Sequence, residues 1–482
     1  MKISSVVIFL FSVLALSLKA QTSVKGLISV NTVWTKSNSP YVVDSTVTVV
    51  PNTTLTLEPG VTVKFADGQA LQIQDGSLIA EGTRMDSITF TSNSTSPVQG
   101  IYPGIYLSVS SLVSQFNFCN FKYADFAIQN DHVNDTLTVK NSVFMSNSNG
   151  LFCPFAFVGV DSCNFESNGT ALIGGGTTQN SYFFQNQIGI AESGQNSFVN
   201  NCVISSGQTG ISGTAGSIVN SSIIYNQLGI DLGYNTVVDN CNISSNGTGL
   251  VTQFNTCPPM WDSIRNCTID SNTVEGIQIN LTSSIYKCNV RNNNVGINLA
   301  NGTGIIVSKN YIENNNTGIA ISIVDAYVNC NKICGSSQYN VEVSYPSTKS
   351  YMMAHNYWCT SNVASIDSKI FDGYDDPTFG KVHFLPLDST CYIYTGVDEI
   401  AKASFNLYPN PSSGIVNLKM ESFENLKMTN TEIYNAHGEC IHSQIGAFSD
   451  LQIDLSSQPD GVYFVKINAE SGILTRKFVI SR

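Results

Sequence analysis

The middle of this chain repeats itself about every 20 residues. A glycine followed by leucine or isoleucine recurs at steps that are mostly 19 to 22 residues long. The glycines are Gly150, Gly189, Gly210, Gly229, Gly249, Gly276, Gly296 and Gly318. A period this short is too small for a helical solenoid, but it suits one turn built from three short strands.

Two further columns accompany these glycines. The first holds Ser, Cys or Asn eight or nine positions before the glycine, and the second holds an apolar residue two positions later. The first column is Cys119, Ser142, Cys163, Ser181, Cys202, Ser221, Cys241, Cys267, Cys288, Asn310 and Cys330. The second is Phe121, Phe144, Phe165, Phe183, Ile204, Ile223, Ile243, Ile269, Val290 and Ile312. Because side chains two residues apart on a strand face the same way, both columns are predicted to point inwards.

Asparagine marks the predicted bends in two more columns. The first lies five residues after the Ser/Cys column: Asn147, Asn168, Asn186, Gly207, Asn226, Asn246, Asn272, Asn293 and Asn315. The second lies just before that column: Asn141, Asn180, Asn201, Asn220, Asn240, Asn266 and Asn329. Asn and Gly tolerate the left-handed backbone conformation, and stacked amides can hydrogen-bond from turn to turn. The sequence therefore predicts an all-β fold, a parallel β-solenoid with three short strands in each turn of about 20–22 residues.

The chain has 13 cysteines. Those of the inward column alternate with serine and are expected to be buried thiols, because cysteine packs as a small apolar residue. Cys153, Cys257, Cys334, Cys359 and Cys391 lie off the column and are better disulfide candidates, with Cys359–Cys391 the first expectation. The sequence has no Cys-x-x-Cys pair and no histidine cluster, so it predicts no metal site. No cofactor is predicted, although calcium remains open.

The composition of the chain disfavours several classes of protein. Charged residues make up only 12% of the chain and its net charge is −12, which disfavours a nucleic-acid partner. After residue 20, no apolar run is long enough to cross a bilayer, so no transmembrane segment is expected in the mature chain. Residues 1–20 read as a secretory signal peptide, with Lys2 at the start, an apolar run to Leu18 and cleavage after Ala20.

Two stretches around the repeat resemble the opening and closing turns of bacterial right-handed parallel β-helix proteins. The opening is Leu-Thr-Leu-Glu-Pro-Gly-Val-Thr-Val-Lys-Phe at 55–65, and the closing is His-Asn-Tyr-Trp at 355–358. Cys359 departs from the pattern, since a glycine commonly follows the tryptophan. The resemblance implies a right-handed parallel β-helix over residues 21–394, and this fold often acts on polysaccharides.

The last part of the chain looks like the type A C-terminal sorting domain of the type IX secretion system. The resemblance rests on Tyr408, Pro409, Asn410, Pro411, Gly414, Gly438, Gly461, Tyr463 and Lys477. Alternating strands and Pro/Gly turns predict a small antiparallel β-sandwich at 405–482, after a linker at 395–404. The resemblance implies a Bacteroidetes-type cell, export by the Sec pathway and then the type IX machinery, and release or attachment at the outer surface.

Asp270, Arg291 and Glu313 are the candidates for catalysis, because each lies three positions after the inward column and faces outwards on successive turns. Two carboxylates at such a spacing can serve an inverting glycosidase. The alternative is an acid–base–acid surface ladder that offsets like-charge repulsion, and this interpretation is favoured. A lyase site is disfavoured between Lys140 and Arg265, because the 124 intervening residues include no Lys or Arg.

Aromatic residues supply candidates for ligand binding. The turn between Gly249 and Gly276 carries an insertion with Phe254 and Trp261, whose rings can stack on sugars or cover the core. Tyr339 and Tyr345 are a second candidate pair. The resulting hypothesis is a secreted or surface-displayed protein that binds glycans or mediates adhesion without catalysis. The alternatives are a polysaccharide hydrolase or lyase, and a purely structural spacer.

Overall fold

The computed structural model describes most of the chain outside the N-terminal segment and several loops. The described residues are 21–108, 114–131, 136–192, 197–213, 216–233, 235–253, 261–322, 324–392, 405–420, 428–435, 440–445, 450–469 and 472–482. The predicted signal peptide, the predicted linker, Phe254, Cys257 and Gly438 lie outside these ranges. The chain forms two compact units, residues 1–392 and 393–482.

The first unit is a parallel β-solenoid of about 14 turns, which confirms the predicted fold. Each turn contributes one strand to each of three ladders, and every ladder strand pairs in parallel with its equivalent in the next turn. The first ladder comprises Thr62–Phe65, Ile88–Ser92, Cys119–Lys122, Val143–Met145, Asn164–Glu166, Tyr182–Phe184, Val203–Ser205, Ser222–Ile224, Asn242–Ser244, Thr268–Asp270, Asn289–Arg291, Tyr311–Glu313 and Lys332–Cys334.

The second ladder carries the repeated glycines. It comprises Ala70–Gln74, Tyr102–Ser108, Ala124–Asn130, Asn149–Asp161, Thr170–Gln179, Ile188–Glu192, Thr209–Gly213, Leu228–Leu232, Thr248–Thr252, Glu275–Ile279, Val295–Leu299, Thr317–Ile321, Tyr339–Val343 and Ile370–Phe371. The third ladder comprises Thr32–Trp34, Thr54–Leu57, Ser77–Glu81, Gln115–Asn117, Thr136–Lys140, the second halves of Asn149–Asp161 and Thr170–Gln179, Ser197–Asn200, Gly216–Val219, Val237–Asp239, Asp262–Arg265, Ser283–Tyr286, Ile305–Ser308 and Ala326–Asn329.

Short elements complete both ends of the solenoid. The strands Thr22–Ile28 and Tyr41–Val49 open it, with a 3-10 turn at Lys36–Asn38 between them. At the other end lie the helix Val363–Asp367 and a parallel pair of strands, Ser350–Met352 and Lys381–His383.

The predicted inward columns form the core. The Phe121, Phe144, Phe165 and Phe183 rings stack face to face on successive turns, with centroids 4.6 to 4.7 Å apart. This distance matches the spacing of paired strands, so identical residues one period apart become direct neighbours.

The repeated glycine is needed where adjacent turns come closest. A Cβ at Gly249 would lie 2.5 Å from the carbonyl oxygen of Gly276 in the next turn, and Gly210 and Gly229 have the same relationship. Any larger residue there would force the two turns apart.

The two asparagine columns play different roles, which corrects part of the prediction. Residues just before the inward column do take positive φ, as at Asn180 (52°) and Asn240 (53°). In the other column the left-handed residue is the one before the asparagine, for example Ser167 at 56°. Asn168 is buried and donates from its amide to the Phe144 carbonyl, 3.0 Å away. The asparagine is therefore required for its buried side-chain hydrogen bonds rather than for its backbone conformation.

Six predicted inward cysteines are buried thiols, as expected: Cys119, Cys163, Cys202, Cys241, Cys267 and Cys288. The placement of Cys330 in this column was wrong. Asn331 occupies the column, and Cys330 takes the left-handed position before it, with φ of 53°. The predicted second-column member Asn329 therefore also lies one residue out of register.

The first expected disulfide, Cys359–Cys391, was wrong as well, although the off-column candidates Cys334, Cys359 and Cys391 all form bridges. The bridges join Cys330 to Cys391 and Cys334 to Cys359, with Cα–Cα distances of 5.0 and 6.0 Å. Cys153 is buried and belongs to neither bridge. Both bridges fasten the closing segment to the last turns of the first ladder. The error follows from the register of Cys330. Because Cys330 was assigned to the inward column, it was not considered as a disulfide partner for Cys391.

The second unit contains two antiparallel sheets. One comprises Phe405–Tyr408, Ile415–Met420 and Asp450–Asp454, and the other comprises Met428–Asn435, Cys440–Ile445, Gly461–Ala469 and Gly472–Ile480. Val416 and Ile453 of the first sheet share a buried cluster with Val465 and Phe478 of the second. This arrangement is the predicted small β-sandwich.

Candidate functional site

The structure places Asp270, Arg291 and Glu313 side by side on the outer face of the first ladder, in consecutive register. Arg291 Nε lies 2.7 Å from the Asp270 carboxylate. Glu313 instead accepts from Lys332 Nζ at 2.6 Å. Each predicted acid is thus engaged by a cation.

These contacts shift the pKa of Asp270 and the pKa of Lys332. Partial burial acts to raise the pKa of Asp270, but hydrogen bonds from Ser271, Asn292 and Arg291 outweigh it and hold the pKa below its usual value. Glu313 in turn raises the pKa of Lys332 by accepting its hydrogen bond. A glycosidase needs one carboxyl whose raised pKa keeps it protonated, and Asp270 has the opposite perturbation. This geometry suits a surface ion ladder better than a catalytic pair.

One group of potential metal donors lies beside this ladder. Ligand atoms of Glu313, Cys334 and Cys359 all lie within 4.8 Å of one another. Because the two sulfur atoms are joined in a disulfide, they are not available as thiolate ligands. The donor set therefore does not fit a metal ion in this state.

The predicted aromatic residues do not converge on one surface. Trp261 is half exposed at the start of the strand Asp262–Arg265, where its backbone N–H donates to Asn235 Oδ1 at 3.2 Å. Tyr339 is partly buried, with its ring centroid 5.6 Å from that of Phe371. Tyr345 is exposed beyond the other end of the strand Tyr339–Val343. Phe254 lies outside the described residues, so its relation to Trp261 remains a prediction.

Asp262 is a buried carboxyl that the sequence interpretation did not single out. Its Oδ1 accepts from the Thr236 backbone N–H at 2.9 Å, whereas Oδ2 has no hydrogen-bond partner among the residues that the structure describes. Burial raises the pKa of Asp262 to about 6. The alternation of Ser, Thr and Asp along the third ladder gave no sign of this environment.

A shallow, open polar trough lies at the bend between the first and second ladders, with a volume of about 380 Å³. We call it the amide trough. It crosses four turns and is lined by Gln99, Ser167, Asn168, Gly169, Gln185, Asn186, Gln187, Ser206, Gly207, Gln208 and Gln227. Among the described residues, none that lines the trough carries a charge.

The bend creates the trough because its side chains alternate between the interior and the surface. Gln185 and Gln187 are exposed on either side of the buried Asn186. Gly207 takes the place of the next buried ladder asparagine, so this turn lacks the inward amide and its backbone lies partly exposed between Ser206 and Gln208. Gln187 Nε2 donates to Gln208 Oε1 at 3.4 Å, which aligns the two amides along the solenoid. The trough thus presents a row of exposed amides about one strand spacing apart.

The two ends of the amide trough differ. At the N-terminal end Gln99 hydrogen-bonds to the Asn147 carbonyl, and its amide lies over Gly169, 3.7 Å from where a Cβ would be. At the other end Tyr225 takes the same left-handed bend position as Ser206 one turn earlier, and 64% of its surface is exposed. An exposed ring therefore lies beside the open end, on the same turn as Gln227.

Sequence reasoning missed this trough. The repeated bend positions were given a structural role only, and glutamine is not a residue type that indicates a catalytic or metal site. The available signal was the succession Gln187, Gln208 and Gln227 at the period of the repeat, where most other turns carry Ser, Thr, Asn or Gly.

In the second unit, the residues of the predicted sorting motif have structural roles. Asn410 Oδ1 accepts from the Val479 backbone N–H at 3.0 Å, and Tyr463 is buried and donates to the Pro459 carbonyl at 2.6 Å. Gly414 has φ of 126°. The remaining described positions are Tyr408, Pro409 and Pro411 in the entry turn, Gly461 at the start of a strand, and the exposed Lys477.

None of the helices in the described part of the chain is long and apolar enough to span a membrane. Among curated proteins, no sequence matches this chain.

Two solved structures illustrate the similarity to other β-helix proteins. The periplasmic alginate epimerase is 12% identical, with a TM-score of 0.34, over 63% of this chain and 84% of that one. A double mutant of the tailspike protein of E. coli bacteriophage HK620 is 10% identical, with a TM-score of 0.33, over 94% of this chain and 85% of that one. Both likenesses are too weak to say what this chain binds.

The second unit has a specific match. The family described as "Secretion system C-terminal sorting domain" matches residues 406–481. Such a domain indicates export through the type IX secretion system to the cell surface or outside. The chain therefore consists of a parallel β-solenoid followed by a secretion system C-terminal sorting domain.

Proposed function

We propose that this chain is an exported glycan-binding protein that works without catalysis, with the amide trough as its binding site. The observation that carries the proposal is the combination of a row of exposed amides with the exposed Tyr225 ring. Sugar hydroxyls donate and accept hydrogen bonds, and a carboxamide offers both functions. A volume of about 380 Å³ lies within the range of small-ligand sites.

The state of the outward acids supports binding over hydrolysis. Asp270 pairs with Arg291 and Glu313 with Lys332, so both acids of the proposed catalytic pair are engaged in charge pairs. The sorting domain also supports the proposal, because it indicates export to the cell surface or outside, where polysaccharides are available as ligands.

The test is retention of the full chain on immobilised polysaccharides, with product analysis of the same samples. We expect retention without new reducing ends and without unsaturated uronate absorbance. Tyr225→Ala should weaken retention about two- to tenfold, because an exposed ring that stacks on a ligand contributes about 0.5–1.5 kcal/mol. The matched control is Tyr327→Ala, which removes a ring of similar exposure (68%) from the third ladder. New reducing ends, or equal loss in both variants, would contradict the proposal.

A further inference from the structure

We infer that the amide trough selects uncharged sugar chains and rejects acidic ones such as uronate or sulfated polymers. This inference rests on the proposed function and adds the chemical class of the ligand.

The first argument is the absence of cations. An acidic polysaccharide carries a charge on many of its sugars, and tight binding needs Arg or Lys within hydrogen-bond distance. No Lys or Arg occurs between Lys140 and Arg265, and this segment supplies every lining residue of the trough except Gln99. All the amides that line the trough are neutral at every accessible pH.

The second argument is the sign of the neighbouring charges. Glu166 directly precedes the lining residue Ser167 in the chain, and its side chain is only partly buried. Asp125 Oδ1 lies 3.9 Å from the position that a Cβ on Gly100 would occupy, next to Gln99. Both acids lie close to residues that line the trough, and their negative charge repels an acidic ligand and does not affect a neutral one.

The third argument is the direction of the trough. Its exposed amides follow the solenoid axis across four turns, about 14 Å at the strand spacing. Gln99 fills the N-terminal end, whereas the Tyr225 end has an exposed ring on its rim. A short stretch of neutral oligosaccharide fits along this row with one ring against Tyr225.

The experiment compares the full chain on neutral and acidic polysaccharides at low ionic strength, where charge effects are strongest. The neutral probes are mannan, laminarin, xyloglucan and dextran, and the acidic probes are alginate, polygalacturonate and chondroitin sulfate. We expect retention on at least one neutral polymer and on no acidic polymer. Retention on acidic polymers that equals retention on neutral ones would overturn the inference and leave the proposed function intact. Retention on none of these polymers would instead contradict the proposed function itself.

A charge introduced into the trough provides the second arm of the experiment. Gln208→Lys should reduce binding of the neutral polymer roughly tenfold, through loss of about one hydrogen bond, and should create binding to an acidic polymer. Gln208→Glu should reduce neutral binding without creating acidic binding. Thr273→Lys is the matched control, because Thr273 is exposed at the equivalent bend position three turns further on. If Thr273→Lys binds the acidic polymer as well as Gln208→Lys does, the trough does not determine charge selectivity and the inference is wrong.

Discussion

Asn246 Oδ1 accepts two hydrogen bonds from Asn226 in the preceding turn, one from its backbone N–H at 2.9 Å and one from its side-chain amide at 3.1 Å. Asn246 repeats the same pair of bonds to Asn272 in the following turn. This relationship makes one side chain serve two turns, which explains why an amide recurs there.

Loss of one ladder amide should therefore be costly. Asn246→Ala leaves the buried backbone N–H of Asn226 without an acceptor and removes the bonds that Asn246 itself donates to Ile223 and Asn272. We expect a loss of about 2–4 kcal/mol in unfolding free energy. Urea denaturation of the full chain measures it. The control Asn242→Ala, at an exposed position on the same turn, should cost less than about 0.5 kcal/mol. Equal losses in the two variants would mean that the ladder contributes nothing specific.

Adjacent turns approach closely at some glycines and not at others, so replacement of glycine by alanine should differ in its effect on stability. Gly249→Ala places a Cβ 2.5 Å from the Gly276 carbonyl and should destabilise the solenoid by about 1–3 kcal/mol. Gly159→Ala should be neutral or slightly stabilising, because its Cβ would meet nothing closer than 3.8 Å. Thermal unfolding of both variants decides this, and the reverse order of stability would show that adjacent turns separate freely.

Much of this architecture was predictable from the sequence, because in-register stacking turns a period into a column. The inward apolar and thiol positions, the repeated glycines and the exposed ladder of Asp270, Arg291 and Glu313 all follow from residue spacing alone. The exact role of each bend residue did not follow. The residue before Asn168, rather than Asn168 itself, carries the left-handed conformation, and a shift of one residue moved Cys330 from the core to a disulfide.

The candidate site was less predictable than the fold for a physical reason. A trough depends on which surface side chains lie together across turns and on the shape of the bend that carries them. Neither property requires a residue type that signals chemistry. The aromatic residues that drew attention in the sequence, Trp261, Tyr339 and Tyr345, are spread over different parts of the solenoid instead.

The buried carboxyl of Asp262 predicts a pH-dependent stability. Its pKa in the folded chain is raised to about 6 from a reference value of 3.8. The folded state therefore binds the proton more tightly, and stability is lost as the pH rises from about 4 through 6. Asp262→Asn should remove this dependence and raise the unfolding free energy at pH 7.5 by roughly 2–3 kcal/mol.

Urea midpoints at pH 4.5 and pH 7.5 test this expectation. The control Asp231→Asn changes a partly exposed carboxylate and should not raise the unfolding free energy at pH 7.5. If Asp262→Asn is no more stable than the parent chain at pH 7.5, burial of the ionised Asp262 carboxylate does not destabilise the folded state.

The closing turns predict a definite disulfide map. Proteolysis without reduction followed by mass spectrometry should recover linked peptides that contain Cys330 with Cys391 and Cys334 with Cys359. The six inward thiols should resist alkylation until the chain is denatured, because all are buried. Recovery of a Cys359–Cys391 peptide would contradict the register of the last turns.

The most direct measurement is a crystal structure of the full chain soaked with a short oligosaccharide of the neutral polymer that retains it. The account predicts electron density for sugar rings along the amide trough, in hydrogen-bond contact with Gln187 and Gln208, and with one ring against Tyr225. Density confined to the surface around Trp261, or to the face that carries Asp270 and Glu313, would contradict it.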